Sequence, residues 1–207
     1  MGSVTALNVT RSHTDVLVLG GGLSGHRAAV AAREKGVAVT MAYLARGASP
    51  FIIGCNAPIG HADNRDRPEI FFDDMVRGGY GLNDRRLVKV MAYQAADAWR
   101  ELSAIGVPFA KDGDCVAQRH LSGNTYPRSI FIAEGTGRVT MERLAAHAAK
   151  IGVETLPGRK VVDLLRDGDD VVGALLWDRH AQQFHAVTAR AVAMAMGGIG
   201  RIYSDST

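Results

Sequence analysis

Near the start of the chain three glycines, Gly20, Gly22 and Gly25, fit the spacing GxGxxG, a pattern whose chemistry is to hold a phosphate. Before them Asp15-Val16-Leu17-Val18-Leu19 reads as a buried parallel strand. After them the alanine-rich run from Leu23 to Lys35 reads as a helix stopped by Gly36, and Val37 to Met41 as a second strand. In that setting each glycine has a task. One permits the tight turn, one lets a pyrophosphate approach the backbone, and one lets the helix pack on the strand. The N–H groups at the helix start then face the negative charge. The expectation for Gly20-Gly21-Gly22-Leu23-Ser24-Gly25 is a grip on a dinucleotide. The acid that commonly closes the second strand and takes the ribose hydroxyls is missing, since Thr40, Met41, Ala42, Tyr43 and Leu44 occupy that stretch. A nicotinamide dinucleotide is therefore disfavoured.

The elements around this turn follow from patterning. Residues 46 to 68 are rich in Gly, Pro, Asn and Asp and read as a long ordered loop. Helical spacing returns from Asp84 to Ile105, with Leu87, Val90, Met91, Ala95, Ala98, Trp99 and Leu102 on one stripe. A second amphipathic helix is predicted from Gly137 to Ile151. Val153 to Leu156, Lys160 to Leu165, Val171 to Trp177 and Phe184 to Ala189 read as a β-meander. Ala191 to Met196 reads as a final buried parallel strand ending at Gly197.

With 47% hydrophobic and 22% charged residues among 207, the composition is that of a folded globular chain. A net charge of +3 comes with bases interleaved with acids, as Arg65 and Arg67 are with Asp63, Asp66 and Glu69, so no nucleic-acid partner is expected. Cys55 and Cys115 have neither disulfide nor metal spacing. Met1 to Thr14, read as a polar leader, lacks the features of a secretory signal, and no apolar run reaches bilayer length. A cytoplasmic location without a transmembrane segment is the expectation.

Several segments in order resemble one group: the flavoprotein subunits of succinate dehydrogenase and fumarate reductase, with L-aspartate oxidase and related FAD-dependent reductases. GGGLSGHRAA (20–29) resembles the group's opening turn. IFFDDMVRGGYG (70–81) resembles its FxDxxKG segment, and IGVPF (105–109) its loop before the substrate site. Tyr126-Pro127-Arg128 with Gly135-Thr136-Gly137 resembles its PR…TG element, and MGGIGRIY (196–203) a later strand end. The resemblance implies an α/β fold, a Rossmann-like FAD-binding domain over residues 15–207 with a parallel sheet and an added antiparallel meander. It implies FAD as cofactor, with Ala42, Tyr43, Ser49, Pro50, Gly54, Cys55, Asn56, Val161 and Gly197 joining the glycine turn at it. Pro50 falls where many members carry the histidine that bonds to FAD, so binding is expected to be non-covalent. Cys55-Asn56-Ala57 replaces the usual Gln-Gly-Gly beside the reactive ring, and Cys55 reads either as a redox-tuning thiol or as packing.

Phe109 matches an aromatic lining the group's dicarboxylate site, and reads equally as core. His120 is the better site candidate of two histidines, ahead of His61. The group's arginine proton donor and its capping domain have no counterpart here, and no catalytic residue is assigned. The resemblance thus implies the N-terminal half of an oxidoreductase acting on a C–C bond next to a carboxylate, completed by a second polypeptide. A split gene, a cleaved precursor and a fragment all fit. An iron–sulfur or other electron-transfer partner and a small carboxylate substrate follow from the same likeness; the alternative is a non-catalytic flavin-holding or assembly subunit.

Overall fold

The structure, a computed structural model, describes residues 8–199 and 202–205. The chain gathers into two compact units, Met1–Ser49 with Leu144–Thr207, and Pro50–Arg143. The first begins with strand β1 (Val9–Leu19), helix α1 (Leu23–Arg33) and strand β2 (Val39–Tyr43). β1 starts six residues earlier than its apolar run suggests, so the stretch read as leader is strand from Val9 on; residues 1–7 lie outside the described residues. Its polar half is held by side chains across the ladder. Ser12 Oγ meets His185 Nε2 at 2.8 Å and His13 Nδ1 meets Thr188 Oγ1 at 3.0 Å. β2 starts two residues later than expected: Arg33 donates to the Val37 carbonyl at 3.1 Å and the Asp15 carboxylate accepts the Ala38 N–H at 2.8 Å, while the Ala38 carbonyl accepts the Val16 N–H of β1 at 3.0 Å.

In the second unit, strand β3 (Cys55–Asn56) lies in the otherwise irregular stretch before helices α2 (Pro68–Gly78) and α3 (Arg85–Ala104). Asp84 caps α3 by accepting the Arg86 N–H, and Ile105 closes it, matching the predicted boundaries. The short strands β4 (Lys111–Asp112) and β5 (Cys115–Val116) form one ribbon, while β6 (Gln118–Arg119) and β7 (Ser129–Ile130) join β3 in another sheet. Ala57, Val107, Phe109 and Ile130 make the core. Beside it runs a buried charge network. Arg128, fully buried, pairs with Asp66 at 2.8 Å and Asp74 at 2.9 Å, and its guanidinium lies 4.8 Å from the Phe71 ring centroid. Thr125 donates to Asp74 through its N–H at 2.7 Å and its hydroxyl at 2.6 Å. Burial pushes both carboxyls up. It prevails for Asp66, whereas at Asp74 the Thr125 hydrogen bonds and the Arg128 and Arg77 charges prevail and hold the group low.

Helix α4 (Thr136–Lys150) leads back to the first unit and strands β8 (Glu154–Pro157), β9 (Arg159–Asp167), β10 (Asp170–Asp178) and β11 (Gln183–Met194). The six strands lie in the order β8-β2-β1-β11-β10-β9. Two expectations are corrected here. β8 does not belong to the meander; it pairs parallel with β2, Thr40 against Glu154, and the Thr40 hydroxyl donates to the Glu154 carboxylate at 2.9 Å. The last meander strand and the final parallel strand are one element, β11. It runs antiparallel to β10 through Gln183–Thr188 and parallel to β1 from Phe184 to Met194. The sheet is thus parallel on one side of β11 and antiparallel on the other. Leu17, Leu19, Ala42, Ala174, Leu176 and Val187 are fully buried against it.

Candidate functional site

The glycine turn is built as its spacing requires. Gly20 has φ +128°, and a Cβ there would lie 2.1 Å from the Ala195 carbonyl oxygen, so the close pass of the turn over the end of β11 admits only glycine. A Cβ on Gly25 would lie 2.0 Å from the Gly20 carbonyl oxygen, which brings α1 against the turn. At Gly21 a Cβ would meet the Tyr43 ring at 2.6 Å. Gly22 is the N-cap of α1 and has no side chain to satisfy the helix; Ser49 does so from the loop after β2, its Oγ accepting the Leu23 N–H at 3.0 Å.

Around this turn opens a cavity of about 520 Å³, wholly within the first unit. Gly20, Gly21, Gly22 and Ser24 form one wall and Ala42 and Tyr43 another. Residues 44–49 continue it, and the start of β9 (Arg159, Lys160, Val161) and residues 194–197 complete it. Among the described residues three cations, Arg46, Arg159 and Lys160, line it, and no carboxylate does. Arg159 is fixed by Asp178 at 2.8 Å, whose carboxyl is held low by the N–H groups of Ala181 and His180 against the opposing effect of burial, with Arg159 assisting. Glycines that leave no room for a Cβ, a helix N-terminus with glycine as its N-cap residue and a cationic lining fit an anionic dinucleotide. The donor set suits a pyrophosphate.

Of the predicted cofactor residues, the structure brings together Gly20, Gly21, Gly22, Ser24, Ala42, Tyr43, Ser49, Val161 and Gly197 at this cavity. Leu23 stands behind it, joined to Ser49, and Gly25 lies beneath the turn. Pro50 is in a single 3₁₀ turn, Ser49–Phe51. Gly54, Cys55 and Asn56 line a different cavity, also about 520 Å³, within the second unit. Its other walls are the α3 face, Val90, Met91, Gln94, Ala95, Ala98, Trp99 and Leu102, with Ala57, Leu121 and Ile130. Asn56 there takes a hydrogen bond from the Asn124 amide at 3.3 Å. Burial pushes the Cys55 thiol up.

Phe109 is in the core of the second unit and His120 is exposed; neither lines either of these two cavities. In the segment 196–203, Gly200 and Arg201 lie outside the described residues. Sequence reasoning did not find Arg46, Arg159 or Lys160. The available signal was the basic pair just after Pro157-Gly158, at the mouth of a strand. Among the described residues no cluster of His, Cys, Asp and Glu could hold a metal, and no helix is long and apolar enough to cross a membrane.

Residues 15–207 match the family model described as FAD binding domain. The chain is 31% identical over 198 residues to a fumarate reductase (CoM/CoB) subunit of Methanothermobacter marburgensis, covering 91% of this chain and 36% of that protein. With the 8-methylmenaquinol:fumarate reductase flavoprotein subunit of Wolinella succinogenes it shares 32% over 200 residues, 93% of this chain and 32% of the other. Among solved structures, a quinol fumarate reductase of E. coli superposes with a TM-score of 0.86 at 25% identity, over 94% of this chain and 34% of that one. The chain therefore spans about a third of the length of the curated relatives it matches. Glycine turn, cationic cavity and these likenesses agree: the chain belongs to the FAD binding domain family, and over its length it is similar to the FAD-binding part of fumarate reductase and succinate dehydrogenase flavoproteins.

Proposed function

We propose that the chain holds FAD non-covalently in the cavity at Gly20–Gly25 and serves an oxidoreductase that acts on a C–C bond next to a carboxylate. The observation that carries this reading is the glycine cradle opening on a cavity with three cations and no acid. In this reading the N–H groups at the start of α1 and the Arg46, Arg159 and Lys160 charges hold the pyrophosphate. Ser49, whose oxygen already accepts the Leu23 N–H, keeps its own O–H free to donate to a phosphate oxygen. Tyr43 and Val161 wall the adenosine side. When bound, the flavin supplies the two-electron chemistry. Pro50 in place of a nucleophile supports the non-covalent mode. Acid precipitation tests it: the reading expects yellow FAD in the supernatant, and flavin retained on the polypeptide refutes it.

Completion by a second polypeptide, which would exclude water and orient the substrate, draws support from α3, where Leu87, Val90 and Met91 are 68%, 51% and 58% exposed. A chain that only holds flavin for another subunit is the competing reading. Steady-state turnover of the purified assembly with fumarate or succinate separates the two.

A further inference from the structure

One titratable side chain beside the turn has no part in gripping the cofactor. His26 is the fourth residue of α1 and is 3% exposed. Its Nδ1 lies 3.0 Å from the Gly22 carbonyl oxygen, and its backbone N–H reaches the same oxygen at 3.1 Å. A carbonyl can only accept, so Nδ1 carries the proton and the lone pair of the neutral ring is on Nε2. Two donors from one residue thereby hold the N-cap carbonyl of α1 within the helix's first turn.

From β2 the Tyr43 ring stands 6.3 Å away between centroids, and from the loop after β2 the Arg46 charge acts on it. The ends of β1 and β11 beside the turn, Val16 to Leu19 and Ala191 to Met194, carry no titratable side chain. Burial pulls His26 below the ordinary histidine range, the hydrogen bond to Gly22 works against it, and Arg46 adds to the lowering.

We propose that His26 is a positioning residue of the dinucleotide turn that also couples cofactor binding to a proton: a pyrophosphate seated at the start of α1 favours the imidazolium, so Nε2 takes a proton from solvent as FAD binds. This rests on FAD occupying the glycine cavity. The Nδ1–H bond to Gly22 is made in both protonation states, so the turn keeps its geometry and only the charge changes. The sign follows from linkage. His26 binds its proton more tightly in the complex than in the free protein, so affinity is highest below the free-state pKa and is lost as pH rises through the bound-state pKa.

The test is FAD binding, by flavin fluorescence, to the flavin-stripped protein and to its H26N and H26L variants. As pH rises from the acid side of the ordinary histidine range, where burial places His26, the parent protein is expected to weaken by roughly three- to tenfold. H26N, which keeps an amide donor near the place of Nδ1, is expected to give a flat profile. H26L, which removes the donor as well, is expected to bind about fivefold more weakly than H26N at every pH, the worth of one hydrogen bond. Binding heats measured in buffers of different ionisation enthalpy read the proton uptake without any variant. A flat profile in the parent protein, or a slope that survives in H26N, overturns the proposal. A parent protein that binds no flavin at any pH overturns the cofactor reading and the proton link with it, an outcome distinct from a flat profile.

Discussion

The two cavities are of equal size and opposite construction. The first is walled by glycine backbone, a helix N-terminus and three cations; the second by Gly54–Ala57 and the apolar face of α3. One recognises charge through main-chain geometry that admits no side chain at Gly20 or Gly25. The other offers apolar surface with two amides, Asn56 and Gln94, and relies on the packing of the core behind it. Substitutions in the two regions should therefore fail in different ways: loss of frame in the second, loss of ligand in the first.

The largest effect is expected at Arg128. Replacing it with Met leaves the buried Asp66 carboxylate without its counter-charge and Asp74 with Arg77 alone, and should cost about 3–5 kcal/mol of stability, read as a fall in denaturant midpoint. An unchanged midpoint would deny the network its structural role. In the parent protein, Asp74 sits below the ordinary carboxylate range. Its contribution is fully present above the unfolded-state value and is lost as pH falls through the folded one, so acid unfolding should begin earlier in D74N, which lacks the charge.

Next comes Gly25→Ala, where a Cβ would meet the Gly20 carbonyl. An overpacking cost of about 1–3 kcal/mol translates to roughly fivefold to 150-fold weaker flavin binding. Equilibrium dialysis measures this, and far-UV circular dichroism should show the helices retained. Smaller still is Ser49→Ala, which removes the acceptor of the Leu23 N–H. About 1 kcal/mol, near fivefold in affinity, is expected from the loss of such a cap. An equal loss from Cys55→Ser would erase the contrast between the cavities.

How legible each region was in the sequence follows the same division. The glycine turn, α1 and the boundaries of α3 could be read because their causes are local: a positive φ, an N-cap and a period. β8 was misassigned because its place depends on β2, more than a hundred residues away, through pairs such as Thr40 with Glu154. β1 reaches back to Val9 only because β11 supplies partners for Ser12 and His13. Arg128 carried a motif resemblance, but its burial depends on Asp66, 62 residues earlier, and on Asp74. Arg46, Arg159 and Lys160 were ordinary surface charges until the fold placed them around one cavity.

The absorbance spectrum of the purified protein, taken before and after acid precipitation, puts the cofactor assignment at stake in a single step. Flavin bands should move entirely to the supernatant, with FAD in about one-to-one ratio to the chain, as a single dinucleotide cavity requires. A colourless protein that binds a nicotinamide dinucleotide instead, or a yellow precipitate with the flavin still attached, would contradict non-covalent FAD at the glycine turn.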